Sequence, residues 1–296
     1  MPVVDIVDAH HHIWRHDRTP WLNGPPVPRI FGDYAALRRD YGIDEFAADA
    51  RPCGVGRSVY VQVNVAPGDE VWEVEWAAAE GRRQGLVNAI VAFADLADPG
   101  VGDVLDRQLA AGPVRGIRQQ LHWHRNPAWR FQPTPDRMRD PAWQRGLRAV
   151  TQRGLLFELQ VFPGQYADSL DLVDRHPDTV FVLMHAGMPD DVSADGLQAW
   201  ARGLAAFAAR PNVMAKISGL GTFPRRCDAD DWRPIIHRTV DTFGPDRCLF
   251  GSNFPIEKMW TGYATLLGAV RSGLDRYTAQ EQQAVLRDTA VRLYRL

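Results

Sequence analysis

The 296 residues carry 34 Lys and Arg against 36 Asp and Glu, a formal charge of −2. That balance makes neither nucleic acid nor an anionic membrane an expected partner, and points to a small-molecule one. No apolar run approaches the ~20 residues of a membrane span, and the first residues lack the basic region and long apolar stretch of a signal peptide. Cys53, Cys227 and Cys248 are odd in number and show no CxxC spacing, which reads as reduced thiols in a cytoplasmic protein.

The first element is a strand. Val3, Val4, Ile6 and Val7 predict a buried strand over 3–9 that runs into Asp8-Ala9-His10-His11-His12. Side chains at i and i+2 share a face of a strand. His10 and His12 therefore project together from its C-terminal end, and His11 points the other way. Two imidazoles side by side can bind a divalent metal or polarise a substrate oxygen. The plain alternative is a polar strand end with solvated histidines.

A long excursion over 13–56 follows, with Pro20, Pro25, Pro26 and Pro28 and then a helical stretch near 34–51. Further strands are predicted over 58–64, 86–94, 114–121, 155–162, 180–185, 213–217 and 247–250. Helical periodicity marks 69–84, 101–111, 140–153, 166–175, 196–209, 232–243, 264–272 and 279–294. Asp140 is a candidate N-cap with Pro141 at the first helical position. After the fourth strand a second excursion, 122–139, gathers Trp123, His124, Arg125, Trp129, Arg130, Phe131 and Arg137.

Strands alternating with helices predict an α/β fold with a parallel sheet. Eight such units predict a (β/α)8 TIM barrel, one domain over 1–296. The excursions 13–56 and 122–139 then lie over the C-terminal face, where active sites of such barrels form. An open doubly wound sheet is the alternative, but no glycine-rich dinucleotide fingerprint supports it.

The C-terminal ends of these strands carry polar residues. They are Tyr60, Gln62 and Asn64; Arg118, Gln120 and His122; Glu158 and Gln160; His185; Lys216 and Ser218; Ser252 and Asn253. Burying that many polar groups costs several kcal/mol unless they are paired or used. Taken together they predict a site at one mouth.

Three stretches resemble the amidohydrolase superfamily: Asp8-Ala9-His10-His11-His12, Met184-His185-Ala186-Gly187 and Phe250-Gly251-Ser252-Asn253-Phe254-Pro255. More narrowly they resemble its amidohydrolase-related branch, which includes sugar-acid lactonases and pyrone dicarboxylate lactonase. Arg115-Gly116-Ile117-Arg118 and Lys216-Ile217-Ser218-Gly219-Leu220 are similar to stretches of that branch as well. The resemblance implies a distorted barrel of amidohydrolase type and a hydrolase acting on an ester-like carbonyl. It also implies an aspartate at the end of strand eight that deprotonates the attacking water. Asn253 stands there instead, and an amide cannot serve as general base.

The reaction expected is lactonase-type hydrolysis of a small carboxylated or sugar-derived ring ester. Its catalytic residues would be His10, His12, His185, Glu158 and Asn253, with Glu158 or a histidine taking the water's proton. Gln62, Arg118, Gln120, His122, Arg125, Arg130, Lys216 and Ser218 are the candidate substrate-binding residues, the guanidinium forks matching a carboxylate. His10, His12 and His185 are the ligands if one divalent ion, zinc or manganese, is bound. Arg118 and Lys216 argue against a tightly held one, because their charges oppose a cation. The alternatives are a non-oxidative decarboxylase of an aromatic or unsaturated acid, and a catalytically silent binding barrel. Association into a homo-oligomer is compatible with each.

Overall fold

The structure, a computed structural model, describes residues 5–296. Val3 and Val4 of the first expected strand lie outside the described residues. Eight strands pair in parallel in chain order: β1 (Ile6–His11), β2 (Val55–Val61), β3 (Ala89–Ala92), β4 (Val114–Ile117), β5 (Leu156–Leu159), β6 (Phe181–Leu183), β7 (Val213–Ile217) and β8 (Cys248–Phe250). The sheet meets itself just beyond β8, where Asn253 N donates to His10 O and His12 N donates to Phe254 O, both at 2.7 Å. This is the (β/α)8 barrel. Its distortion lies in that seam, which two bonds between the end of β1 and the loop after β8 carry in place of a regular ladder.

The strands are apolar on both faces because both are covered. Val7, Ala9, Val59, Val61, Val91, Val182 and Leu249 fill the interior. Their neighbours Ile6, Tyr60, Ile90, Ile117, Phe157 and Phe181 turn out into the layer shared with the helices. The last helix, Thr289–Tyr294, inserts Ala290 and Tyr294 into the interior. Val180 and Met214, at the N-terminal ends of their strands, pack against the same cluster. The C-terminal segment therefore closes the floor, and only the opposite face is left for a ligand.

Helix boundaries follow local chemistry. Asp140 accepts from Ala142 N and Pro141 opens the helix Pro141–Gln152, as its sequence predicts. Ser193 and Asp228 cap Ala194–Ala208 and Ala229–Phe243, so these helices begin earlier than their apolar periodicity suggests. The stretch near 34–51 resolves into a short 3-10 turn, Ala35–Leu37, and the helix Ile43–Ala50. The helical pattern over 279–294 contains a π-turn at Ala284–Asp288. No helix among the described residues is long and apolar enough to cross a membrane. All three cysteines are free.

Candidate active site

The histidine pair depends on a break in the strand that carries it. Val7 and Ala9 face the interior, so strict alternation would send His11 inward and His10 and His12 outward. Between Asp8 and His11 the register slips, with Asp8 opposite Ser58 and His11 opposite Tyr60. One extra residue on β1 is a β-bulge, and it resets the phase. Asp8 fixes it by accepting from His10 N (3.1 Å), Ser252 N (2.9 Å) and the Tyr263 hydroxyl (2.8 Å). His11 consequently turns outward and stacks on Phe46 with ring centroids 3.8 Å apart. His10 Nε2 and His12 Nε2 face each other at 3.3 Å.

A cavity of about 100 Å³ opens above this pair. By the measure in which one water needs roughly 10–15 Å³ it holds several waters, the volume of a single substituted ring. His12, Gln62, Arg118, Gln120, His122, Arg130, His185 and Asn253 all line it. The structure thus brings together side chains from strand ends one, two, four, six and eight. Both excursions supply walls: Trp14, Trp21, Arg29 and Phe31 from the first, and Arg130 and Phe131 from the second. His185 and Asn253 hold left-handed backbone, φ 53° and 57°. That conformation is costly for residues with a Cβ and recurs at functional sites.

Several expected site residues lie elsewhere. Arg125 is exposed on the second excursion and does not line the cavity. Tyr60 turns outward and donates to Glu73 at 2.8 Å. Ser218 lies behind His185, its hydroxyl 2.8 Å from Nδ1. Gly219 beside it has φ +60°, and a Cβ there would stand 2.6 Å from His185 Nδ1, so glycine is what lets the turn close on the ring. His10 is wholly buried below His12 and does not reach the cavity wall.

Glu158 and Lys216 lie deeper still, both fully buried. Lys216 Nζ donates to Glu158 Oε1 at 2.5 Å and to Ala9 O at 2.8 Å. The Tyr294 hydroxyl donates to the same carboxylate oxygen at 2.6 Å. Neither residue lines the cavity. Glu158 is therefore not the water's base, and Lys216 does not hold substrate. The pair is an internal ion pair between floor and site.

The tautomers follow from the partners. Val61 O, 2.6 Å from His12 Nδ1, can only accept, so Nδ1 carries the proton and Nε2 is bare. His10 Nε2–H then donates to it, and His10 Nδ1 is buried without a partner. His185 is pushed down to about 3, by burial first and then by the charges of Arg118 and Lys216. Burial with the nearby positive charges also holds His10 and His12 well below the usual imidazole range. All three rings are neutral near pH 7.

Arg118 is the exception. Only 4 % exposed, it donates from Nη2 to Gln62 O at 2.5 Å, while its buried Nε has no partner. Burial pushes it down to about 10, and Glu158 and Glu73 offset this only at longer range. It stays charged near pH 7, a guanidinium in the cavity wall with no carboxylate in contact.

The donor set does not fit a tightly held divalent ion. The 3.3 Å between His10 and His12 matches the roughly 3.3 Å that two nitrogens of a tetrahedral zinc would show. Beyond that pair the match fails. No group of three or more His, Cys, Asp or Glu side chains among the described residues is arranged to hold a metal. Asn253 replaces a carboxylate, Glu158 is engaged by Lys216 and Tyr294, and Arg118 and Lys216 place positive charge where a cation would bind.

Three contributors carry no signal in the sequence. Arg29 leans over Trp21, 5.1 Å from the ring centroid, and adds a third guanidinium to the wall beside those of Arg118 and Arg130. Thr222 lines the cavity from the loop after β7. Glu257, fully buried behind Asn253, accepts from the Thr222 hydroxyl at 3.1 Å.

A neutral histidine cluster beside the buried guanidinium of Arg118, with Arg29 and Arg130 in the same wall, sits at the C-terminal mouth of a (β/α)8 barrel and makes a hydrolase-type site. The chain belongs to the Amidohydrolase family, whose sequence profile matches residues 7–296. It is 32% identical over 298 residues to the uncharacterized protein y4mH of Sinorhizobium fredii, covering 100% of both chains. An L-fucono-1,5-lactonase of Burkholderia multivorans is 29% identical over 301 residues, covering 98% of this chain and 96% of that one. The crystal structure of an amidohydrolase from Burkholderia multivorans with bound HEPES superposes with a TM-score of 0.82 at 27% identity, covering 98% of this chain and 99% of the other.

Proposed function

We propose that this protein hydrolyses a small lactone, carboxylated or sugar-derived, without a tightly bound metal. The observation that carries the reading is Arg118. A buried guanidinium without a carboxylate partner is stabilised by an anion or a developing oxyanion. The similarity to L-fucono-1,5-lactonases supports a ring ester as the carbonyl source, and the cavity's volume suits one ring.

The ring carbonyl oxygen lies toward Arg118. Water beside Asn253 attacks the carbonyl carbon and gives a proton to His185 Nε2, while Ser218 holds Nδ1. The oxyanion forms on Arg118 and cancels one of the charges that depress His185, so the base strengthens as the reaction advances. Collapse breaks the ring C–O bond, and the leaving alkoxide takes the proton back from His185. The product is a hydroxy acid, which loses its carboxyl proton to solvent. Arg29, Arg130 and His122, on the outer wall, hold the substrate's anionic or hydroxyl groups.

A panel of γ- and δ-lactones, sugar-derived and carboxylated, with a pH indicator tests this. Acid release by the wild type and its loss in Arg118→Met is the expected result. No release from any lactone, with carbon dioxide released from a hydroxybenzoate panel, would replace it with the decarboxylase reading.

A further inference from the structure

Glu257, in the turn that follows β8, is wholly buried and meets only neutral donors. Oε2 accepts from Trp260 Nε1 at 2.7 Å and Oε1 accepts from Thr222 Oγ1 at 3.1 Å. The side-chain amide of Asn253 and the backbone of Gly221 lie beside the carboxylate and favour its charged form. Gly221 makes this packing feasible, because a Cβ there would stand 2.3 Å from Oε2 and 2.4 Å from Trp260 Nε1. The carboxylate thus has a built cradle, one turn past the strand end where Asn253 stands.

The cradle determines what the cavity sees. Thr222 has one hydroxyl proton, and Glu257 takes it, so the oxygen lone pairs remain for the cavity. The Asn253 side-chain amide lies beside the same carboxylate, whose charge favours the NH₂ end toward it and leaves the carbonyl oxygen for the cavity. Both residues line that space beside His185. We propose that Glu257 is a positioning residue that fixes Asn253 and Thr222 as hydrogen-bond acceptors for the attacking water. The water's first O–H points to His185 Nε2. This acceptor pair takes the second, which turns the oxygen lone pair toward the carbonyl. The role rests on the lactone-hydrolase reading and gives it the element Asn253 alone cannot supply.

Protonating Glu257 would reverse it. A carboxyl O–H must donate, so either Asn253 or Thr222 has to turn its acceptor away from the cavity. Burial pushes Glu257 up to about 7, so the reversal falls within working pH. Most other ionisable groups around the cradle are paired or neutral. Lys258 bonds Glu45 and Asp49 at 2.9 and 2.6 Å, and Arg226 bonds Asp231 at 2.9 Å. Arg225 packs against Gly32, and Asp228 caps the helix Ala229–Phe243. Burial pushes the Cys227 thiol up, and the charge of Glu257 adds to this.

The test is the pH–rate profile of the wild type, Glu257→Gln and Glu257→Asp on one cleavable lactone. Wild-type kcat should fall about tenfold per pH unit below a midpoint near 7, with KM changed less than about threefold. Glu257→Gln should lose about 10- to 100-fold in kcat at pH 8 and lack that limb, and Glu257→Asp should restore the limb. A Glu257→Gln profile that keeps the limb, or is lowered equally at every pH, overturns the proposal. Should Glu257→Gln not fold, Thr222→Val carries the test. It should lower kcat with KM unchanged, and full kcat would overturn the role. A wild type that cleaves no lactone removes the lactonase reading and this role together, whereas active wild type with an unaltered variant profile removes the role alone.

Discussion

Lys216 Nζ meets Glu158 Oε1 at 2.5 Å, with neither side chain exposed and one further bond from the same nitrogen to Ala9 O. An ion pair this deep contributes little net stability over an apolar pair, but half of it is costly. Glu158→Gln should lower unfolding free energy by about 3–5 kcal/mol in urea titrations. The double variant Glu158→Leu/Lys216→Met should recover most of that loss, because no unpaired ammonium remains. A single variant within about 1 kcal/mol of wild type would show that the pair is hydrated.

Arg118 acts through both charge and shape. Its guanidinium lines the cavity wall, reaches Gln62 O and keeps a buried Nε without a partner. Arg118→Met should reduce kcat/KM for a lactone by about 10²–10³, the usual loss when an oxyanion donor is removed. Arg118→Lys should recover only a small part, since an ammonium cannot bond Gln62 O and the oxyanion with the same planar fork. Full activity in the lysine variant would reduce Arg118 to a point charge.

His185 and Ser218 should separate by magnitude. His185→Gln removes the proton acceptor and should lower kcat by about 10²–10⁴, with the circular dichroism spectrum unchanged. Ser218→Ala removes only the group 2.8 Å behind Nδ1. Its loss should be smaller, about tenfold, since the ring still fits against Gly219. Equal losses in the two would mean that Ser218 itself touches the reacting atoms.

What the sequence discloses and what it hides divide along physical lines. The eight strands are legible because each is a short β-branched run between turn residues, and the seam between strands one and eight follows from closing them. The pairing of His10 with His12 is legible from their spacing, but their direction is not. The bulge that turns them inward is fixed by Asp8 bonding Ser252 N and Tyr263, residues more than two hundred positions away. Alternation also says whether Glu158 and Lys216 face the interior, but not how deep. Depth depends on Tyr294 rising from the floor to bond Glu158. Arg29 replaces Arg125 as a cavity guanidinium because loop paths carry no periodicity to read.

The last expectation concerns acid. His11, His122 and His185 are each pushed down to about 3, with burial the first cause, while burial pushes Glu73 and Glu257 up to about 7. For the histidines the folded value lies below the unfolded one. Their stabilisation is complete above the unfolded value of 6.5 and is lost as pH falls toward 3, at about 1.4 kcal/mol per group per pH unit. For the two glutamates the folded value lies above the unfolded 4.5, so theirs is complete below 4.5 and lost as pH rises through 7. Between pH 6.5 and 4.5 the two sets oppose each other. The histidines prevail in number, and His10 and His12 are shifted the same way. Unfolding free energy in urea should therefore be lower at pH 5 than at pH 7.5. His11→Phe isolates one contribution, because the ring is stacked on Phe46 with neither nitrogen hydrogen-bonded. Phenylalanine keeps the stack and has nothing to protonate, so the variant should match or exceed wild type at pH 7.5 and exceed it by more at pH 5. Equal pH slopes for the two proteins would place His11 in contact with water.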